Sequence, residues 1–132
     1  MKFSKNVSSQ RRISRKKYYK GNSEAKRKYM SSRINKNFLK SLPTKSIPIR
    51  KGDEVKVSRG SQKGKIGKIV QCSRKGLFIF IDSVTYKKVN GDDAYLPINP
   101  SNVQVQKLVM NKERKLRIFR AANNFIKENT NG

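Results

Sequence analysis

Apolar and polar residues alternate most regularly in the middle of the chain. In Glu54-Val55-Lys56-Val57-Ser58 the valines share one face and Lys56 and Ser58 the other, the two-residue period of a strand buried on one side. A loop punctuated by Gly60, Gly64 and Gly67 follows, then a predicted strand from Ile66 to Cys72 and a turn at Arg74-Lys75-Gly76. Leu77-Phe78-Ile79-Phe80-Ile81 is apolar on both faces, the pattern of a central strand. Val84 to Val89 is a further strand. It ends at Asn90-Gly91, a hairpin signal because a type I′ turn needs positive φ at both central residues. Tyr95-Leu96-Pro97-Ile98 and Val103-Gln104-Val105-Gln106 complete a set of five or six short strands. That many strands and glycine turns within about 60 residues predict a small closed barrel.

On either side the pattern changes. The N-terminal arm holds Val7, Ile13, Met30, Ile34, Leu39, Leu42, Ile47 and Ile49 with no sustained period, too little apolar surface to fold alone. Ser23 followed by good helix formers to Met30 predicts a short helix capped by Ser23. Ser32 is a candidate cap for a second helix from Ile34 to Leu42, stopped at Pro43, and Pro43 and Pro48 make Ser41 to Arg50 an extended linker. The tail returns to helix from Asn111 or Lys112 to about Lys127. There Leu116, Phe119, Asn123 and Ile126 form one stripe and Arg117, Arg120, Asn124 and Lys127 its neighbour. The first is expected to dock on protein and the second to meet phosphate, with a solvated basic face as the alternative. The chain thus divides into an extension over 1–48, a barrel over 49–108 and a basic helix and tail over 109–132.

Charge decides the class of partner. Lys and Arg number 33 against 8 Asp and Glu, a formal net charge of +25 on 132 residues. Residues 1–52 carry 17 of the cations and a single acid, Glu24. Self-repulsion on that scale calls for a polyanion, and neutralising nucleic-acid phosphates releases their condensed counterions. A membrane surface is disfavoured, since there is no apolar run of spanning length and no long amphipathic helix rich in Leu or Trp. Residues 1–7 lack the apolar region of a secretory signal. Residues 8–20 fit either an organelle-targeting segment or an RNA-binding arm, and the second is preferred. The one cysteine, Cys72, can form neither an intrachain disulfide nor a cysteine-based zinc site, and there is no histidine. No metal and no cofactor is expected. The barrel region has only Asp53, Glu54, Asp82, Asp92 and Asp93 as acids, too few to converge as a two-metal site, so an enzyme is not expected.

The most informative stretch runs from Ile49 to Val70. Gly60, Gly64 and Gly67 alternate with Lys63, Lys65 and Lys68 between two strands, which exposes backbone amides and adds charge for a phosphate backbone. A solvated surface loop has the same look. The stretch resembles a KOW motif. Met1-Lys2-Phe3, Met30-Ser31-Ser32, Ser46-Ile47-Pro48-Ile49-Arg50, Asn90-Gly91, Ile98-Asn99-Pro100-Ser101-Asn102-Val103 and Asn111-Lys112-Glu113-Arg114-Lys115 extend the likeness over roughly residues 1–120. Together they resemble the eukaryotic and archaeal KOW-domain proteins of the large ribosomal subunit (family twenty-four in the universal scheme, twenty-six in the older eukaryotic one). Gly76-Leu77-Phe78 and Asn99 depart in detail from the animal pattern.

The resemblance implies a mainly β protein, an SH3-like barrel with a basic, partly helical N-terminal extension and a C-terminal helix. It implies a structural, non-enzymatic constituent of the large subunit that binds large-subunit rRNA near the exit of the peptide tunnel and acts in assembly. Its partners would be large-subunit rRNA and neighbouring ribosomal proteins, with no membrane and no homo-oligomer. Its place would be the cytoplasmic ribosome, with assembly in the nucleolus in a eukaryote. A transcription-elongation KOW protein is the alternative. Candidate RNA contacts are Arg11, Arg12, Arg15, Lys16 and Lys17 in the arm, and Arg50, Lys51, Arg59, Lys63, Gly64, Lys65 and Lys68 around the motif. Arg74 and Lys75 in the next turn and Arg114, Lys115, Arg117 and Arg120 in the tail complete them. Tyr18, Tyr19 and Tyr29 are placed either to stack on unpaired bases or to pack against the arm's own helices.

Overall fold

Arginine and lysine are good helix formers, and Arg11–Lys20 forms helix α1 although no carboxylate lies in its first turn and none of its residues is buried. The sequence pattern does not predict this helix, because like charges along it oppose it. The computed structural model describes residues 3–35, 37 and 44–130, the last seven as helix backbone only. Helix α2, Ser23–Tyr29, is present as expected but is capped one residue earlier: the Asn22 side chain accepts the Ala25 N–H at 2.9 Å. Glu24 in its first turn and Lys26, Arg27 and Lys28 in its last suit the helix dipole.

Among the described residues eight strands follow: β1 (Ser31–Ile34), β2 (Ser46–Pro48), β3 (Glu54–Val57), β4 (Ile66–Ser73), β5 (Phe78–Ile81), β6 (Thr85–Lys87), β7 (Asp93–Tyr95) and β8 (Val103–Lys107). A 3-10 turn at Pro100–Asn102 leads into β8, and helix α3 runs over Lys112–Thr130. The larger sheet has the order β2-β1-β8-β3-β4-β5, and β6 pairs with β7 in a separate ribbon. The protein is therefore mainly β with a C-terminal helix. Its end strands β2 and β5 are not paired with each other among the described residues, so the barrel is not closed by a hydrogen-bonded ladder.

Two arm segments belong to this sheet. Strand β1 lies between β2, antiparallel, and β8, parallel. Ser32, expected to cap a helix, sits buried in mid-strand with its hydroxyl donating to the Pro100 carbonyl. Alternate residues of β1 point inward, which brings Ile34 into the core beside Met30, Ile47 and Ile49. The rest of the expected second helix, 36 and 38–43, lies outside the described residues. The core continues through Val55, Val57, Ile69, Leu77, Ile79, Ile81, Val84, Ile98, Val103 and Val105. The sheet thus crosses the boundary drawn at residue 48, because isolated isoleucines with no period of their own are completed by strands far along the chain.

Two expectations about the middle change. The segment Leu77–Ile81 is not central: β5 ends the sheet order, bridged on its far side only by Ile79 with Ile98. Its second apolar face is taken by rings, Phe78 on Phe80 at 5.2 Å and Phe80 on Tyr95 at 6.3 Å between centroids. Leu77 belongs to the preceding turn with φ 60°. The Asn90-Gly91 hairpin exists, but only Gly91 has positive φ. The Gly91 N–H bonds the Lys88 carbonyl at 3.0 Å and the Lys88 N–H the Asp92 carbonyl at 2.9 Å, the bonds of a three-residue loop rather than a type I′ turn.

Candidate nucleic-acid interface

The basic surface is organised by one buried acid. Asp53, wholly out of solvent at the mouth of β3, accepts four hydrogen bonds. Oδ1 takes the Val109 N–H at 2.9 Å and Arg114 Nη1 at 2.6 Å. Oδ2 takes the Arg50 N–H at 2.9 Å and Arg114 Nη2 at 2.8 Å. Arg114 also donates to the carbonyls of Val109 and Pro48. One carboxylate therefore fixes the β2–β3 turn, the chain after β8 and the first turn of α3 to one another. Asn111 caps that helix, its Oδ1 accepting the Arg114 N–H at 2.9 Å. Arg114 was a candidate RNA contact. At 2% exposure, with its charge matched by Asp53, it is a structural residue instead. Its Nε is buried with no acceptor among the described residues.

This clamp leaves a cleft of about 430 Å³ between α2, β2, the β4–β5 turn and α3. Arg27, Arg50, Lys51, Arg74 and Arg117 line it with Glu113 as the single acid among the described residues. A shallower groove continues along α3 past Leu116 to Arg120. Helix α2 is held to the far wall by Arg74 Nη1, 2.7 Å from the Ser23 hydroxyl, and by Lys26 Nζ, 3.5 Å from the Lys75 carbonyl. Arg27 stands one turn beyond Ser23 on the same face of α2, and sequence reasoning missed it. The signal was its four-residue spacing from Ser23, whose partner could not be seen without the fold. Cys72 also lines the cleft. Burial pushes its thiol pKa up and the Asp53 charge adds to this, while Arg74 pulls it down.

The loop of the motif lies at the other end of β3. Its register is fixed by the Gly64 N–H on the Val57 carbonyl at 2.8 Å and the Val57 N–H on the Lys65 carbonyl at 2.9 Å. Gly64 has φ +95° and open space where a Cβ would be, while Lys63, Lys65 and Arg59 are exposed around it. Gly67 has a different task. A Cβ there would stand 2.2 Å from Asp82 Oδ1, an oxygen already held by the Lys68 and Ser83 N–H groups. That glycine serves packing. Lys68 beside it is exposed. Strand β3 spans four residues, so loop and cleft are separated by roughly 13 Å of strand.

In the arm, Arg11, Arg12, Arg15, Lys16 and Lys17 are all exposed along α1. Tyr18 lies edge-on to Tyr19 at 5.0 Å and to Tyr29 at 5.2 Å, so the tyrosines join α1 to α2. The Arg15 guanidinium sits 5.5 Å from the Tyr19 ring centre. Packing against the arm's own helices is thus realised, with Tyr19 still 61% exposed. On α3 the docking stripe differs from the expected one. Arg114 is buried and Ile118 packs against the core, whereas Leu116 and Phe119 face solvent beside Arg117 and Arg120. Lys115 is exposed away from the cleft lining, as Lys75 is in its turn, and the side chains of Asn124, Ile126 and Lys127 lie outside the described ones.

Exposed cations along α1, around the cleft and on the motif loop at the far end of β3 suit a polyanion. The family model for the ribosomal proteins called L26 in eukaryotes, with their archaeal L24 counterparts, matches residues 8–121. The chain belongs to this ribosomal-protein family. The match begins in the arm before α1 and ends within α3, so the family spans the arm, the sheet and the clamp together. Among similar proteins, the large ribosomal subunit protein uL24 of Littorina littorea is 44% identical over 116 residues, 87% of this chain and 81% of the relative. That of Dictyostelium discoideum is 43% identical over 115 residues, covering 87% and 83%. That of Schizosaccharomyces pombe is 39% identical over 120 residues, covering 91% and 95%. As a member of a ribosomal-protein family the chain is a structural, not a catalytic, component.

Proposed function

We propose that the chain is a structural constituent of the large ribosomal subunit that holds large-subunit rRNA chiefly by phosphate contacts. The observation that carries this reading is the family match over residues 8–121 on a chain of net charge +25. Relatives covered over four-fifths or more of their length bear the name of that subunit. The contacting groups would be the exposed cations of α1 (Arg11, Arg12, Arg15, Lys16, Lys17), of the motif loop (Arg59, Lys63, Lys65, with Lys68 and the open Gly64 backbone) and of the cleft (Lys51, Arg74, Arg117), joined there by the half-buried Arg50 and Arg27. Lys75, Lys115 and Arg120 would add charge at the edges. Helical RNA hides its major groove from side chains, so recognition would run through backbone and 2′-hydroxyls. A place near the tunnel exit, a role in subunit assembly, neighbouring ribosomal proteins as contacts and nucleolar assembly in a eukaryote are parts of the same proposal.

The test is sedimentation of the tagged chain from a cell extract through a high-salt gradient. It should travel with large subunits. Retention in the light fractions, or travel only with polymerase, would overturn the reading.

A further inference from the structure

Acids are scarce on this chain, 8 among 33 cations, yet one of them stands inside the basic cleft. Glu113 lines both the cleft and the groove beyond it, and its Oε2 lies 3.2 Å from Arg50 Nη2. A carboxylate offers a guanidinium the same pair of acceptor oxygens that a phosphate does. The glutamate is itself 82% exposed, so it is held by no packing and can swing away. With Glu113 removed, Arg50, Arg74, Arg117 and Lys51 have no carboxylate among the described residues that line the cleft with them. A second observation points the same way. Arg114, in the wall of the same cleft and almost wholly buried, keeps an Nε with no acceptor among the described residues. The guanidinium charge is answered by Asp53, but this Nε–H donor is left for an acceptor that enters the cleft. The volume, about 430 Å³, exceeds what a bare ion needs and accommodates a phosphodiester with its flanking sugars.

We propose that this cleft is a phosphate pocket, in which Arg50, Arg74 and Arg117 receive a backbone phosphodiester of RNA and Glu113 occupies Arg50 until that phosphate displaces it. The inference rests on the RNA-binding reading above and deepens it. The pocket belongs to the full fold, since its walls come from α2, β2, the β4–β5 turn and α3. Glu113 acts as an internal competitor. It keeps Arg50 placed in the free protein and sets a threshold that weakly held anions do not pass.

The experiment uses the full chain with a large-subunit rRNA fragment, and pyrophosphate as the free-anion probe. Filter binding over a salt series compares the wild-type protein with the Arg50→Gln/Arg74→Gln double variant and with Glu113→Gln, each checked for folding by circular dichroism. The double variant should lose about 10-fold in RNA affinity, and its log–log salt slope should fall by roughly 1.5, from ~0.7–0.9 per phosphate contact. Glu113→Gln should bind RNA about 3-fold more tightly, the size of one exposed ion pair. Nitrogen-labelled arginine spectra should show Arg50 and Arg74 Nε signals moving with pyrophosphate, with larger shifts in Glu113→Gln. RNA binding by the double variant with wild-type affinity and slope would overturn the pocket while leaving the ribosomal reading standing. Loss of pyrophosphate binding in the double variant with unchanged RNA binding would overturn the RNA assignment in favour of a free anion. No RNA binding by the wild-type chain would remove the underlying reading as well. Weaker RNA binding by Glu113→Gln would overturn the displacement.

Discussion

Arg114 lays both terminal nitrogens on Asp53, at 2.6 and 2.8 Å, with the two residues 2% and 0% exposed. The pair joins positions 61 residues apart and carries no free charge to the surface. It holds α3 at the angle that gives the cleft its wall.

Breaking this pair from one side should be costly, because the other charge stays buried and unmatched. Asp53→Asn is expected to lower stability by about 3–5 kcal/mol. Replacing both, as Asp53→Leu with Arg114→Met, should cost less than either single change. Urea unfolding curves measure this, and a loss under about 1 kcal/mol for Asp53→Asn would show that the clamp is not structural.

Gly67 and Gly64 should respond differently to alanine. At Gly67 the added methyl meets Asp82, Ser83 and Ile81 between 2.2 and 2.7 Å, and the Asp82 oxygen is tied by two N–H donors. Its alanine variant should lose about 1–3 kcal/mol through overpacking. At Gly64 the methyl enters open space, so only the strained positive φ opposes it, about 1–2 kcal/mol. Thermal melts of each, paired with RNA binding, separate the roles: Gly64→Ala should affect binding beyond its effect on folding, Gly67→Ala should not.

The motif loop makes a prediction independent of the cleft. Changing Lys63, Lys65 and Lys68 together to Gln should weaken RNA binding across sequences and flatten the log–log salt slope by about 2, from ~0.7–0.9 per contact. An unchanged slope would mean these exposed lysines are only solvated.

The arm should contribute more than the loop. Residues 1–21 hold eight cations and no acid, five of them exposed on α1 from Arg11 to Lys17. Truncation must stop there. A cut at residue 45 would also remove Met30, Ile34 and strand β1 from the core. Deleting 1–21, which keeps the Asn22 cap of α2, should cut affinity for an rRNA fragment by more than the triple Gln change, even though ordering the arm opposes binding by roughly 1–2 kcal/mol per residue fixed. Equal binding by the truncated and intact chains would make the sheet and cleft the anchor.

Strands whose side chains alternate, such as Glu54 to Ser58, were legible because a period of two needs no knowledge of partners. So were α2, from its run of good helix formers although its cap is Asn22 and not Ser23, and α3, from its three-and-four spacing although the stripe that docks is a different one. What escaped were elements defined by distant company. Strand β1 has only Ser32 and Ile34 facing inward and is specified by β2 and β8, not by its own pattern. Helix α1 reads as mutual repulsion until Tyr18 meets Tyr29. In the candidate site, charge counting found most of the exposed cations but could not tell Arg114 from Arg117, three residues apart on one helix. Only the position of Asp53 decides which of them is spent inside. Arg27 was missed for the converse reason, since nothing near it in sequence says that Ser23 would meet Arg74.

Strand β1 depends on β8 for its parallel partner, with Arg33 opposite Gln104 and Ile34 opposite Val105. On a chain made from its N-terminus, the first strand of the sheet therefore waits for the last, about seventy residues later in synthesis. For all of that interval the polycationic arm is exposed without the sheet that anchors it. The fold thus delivers its charge before its framework, and an RNA in reach during synthesis would meet the arm first and the finished cleft last.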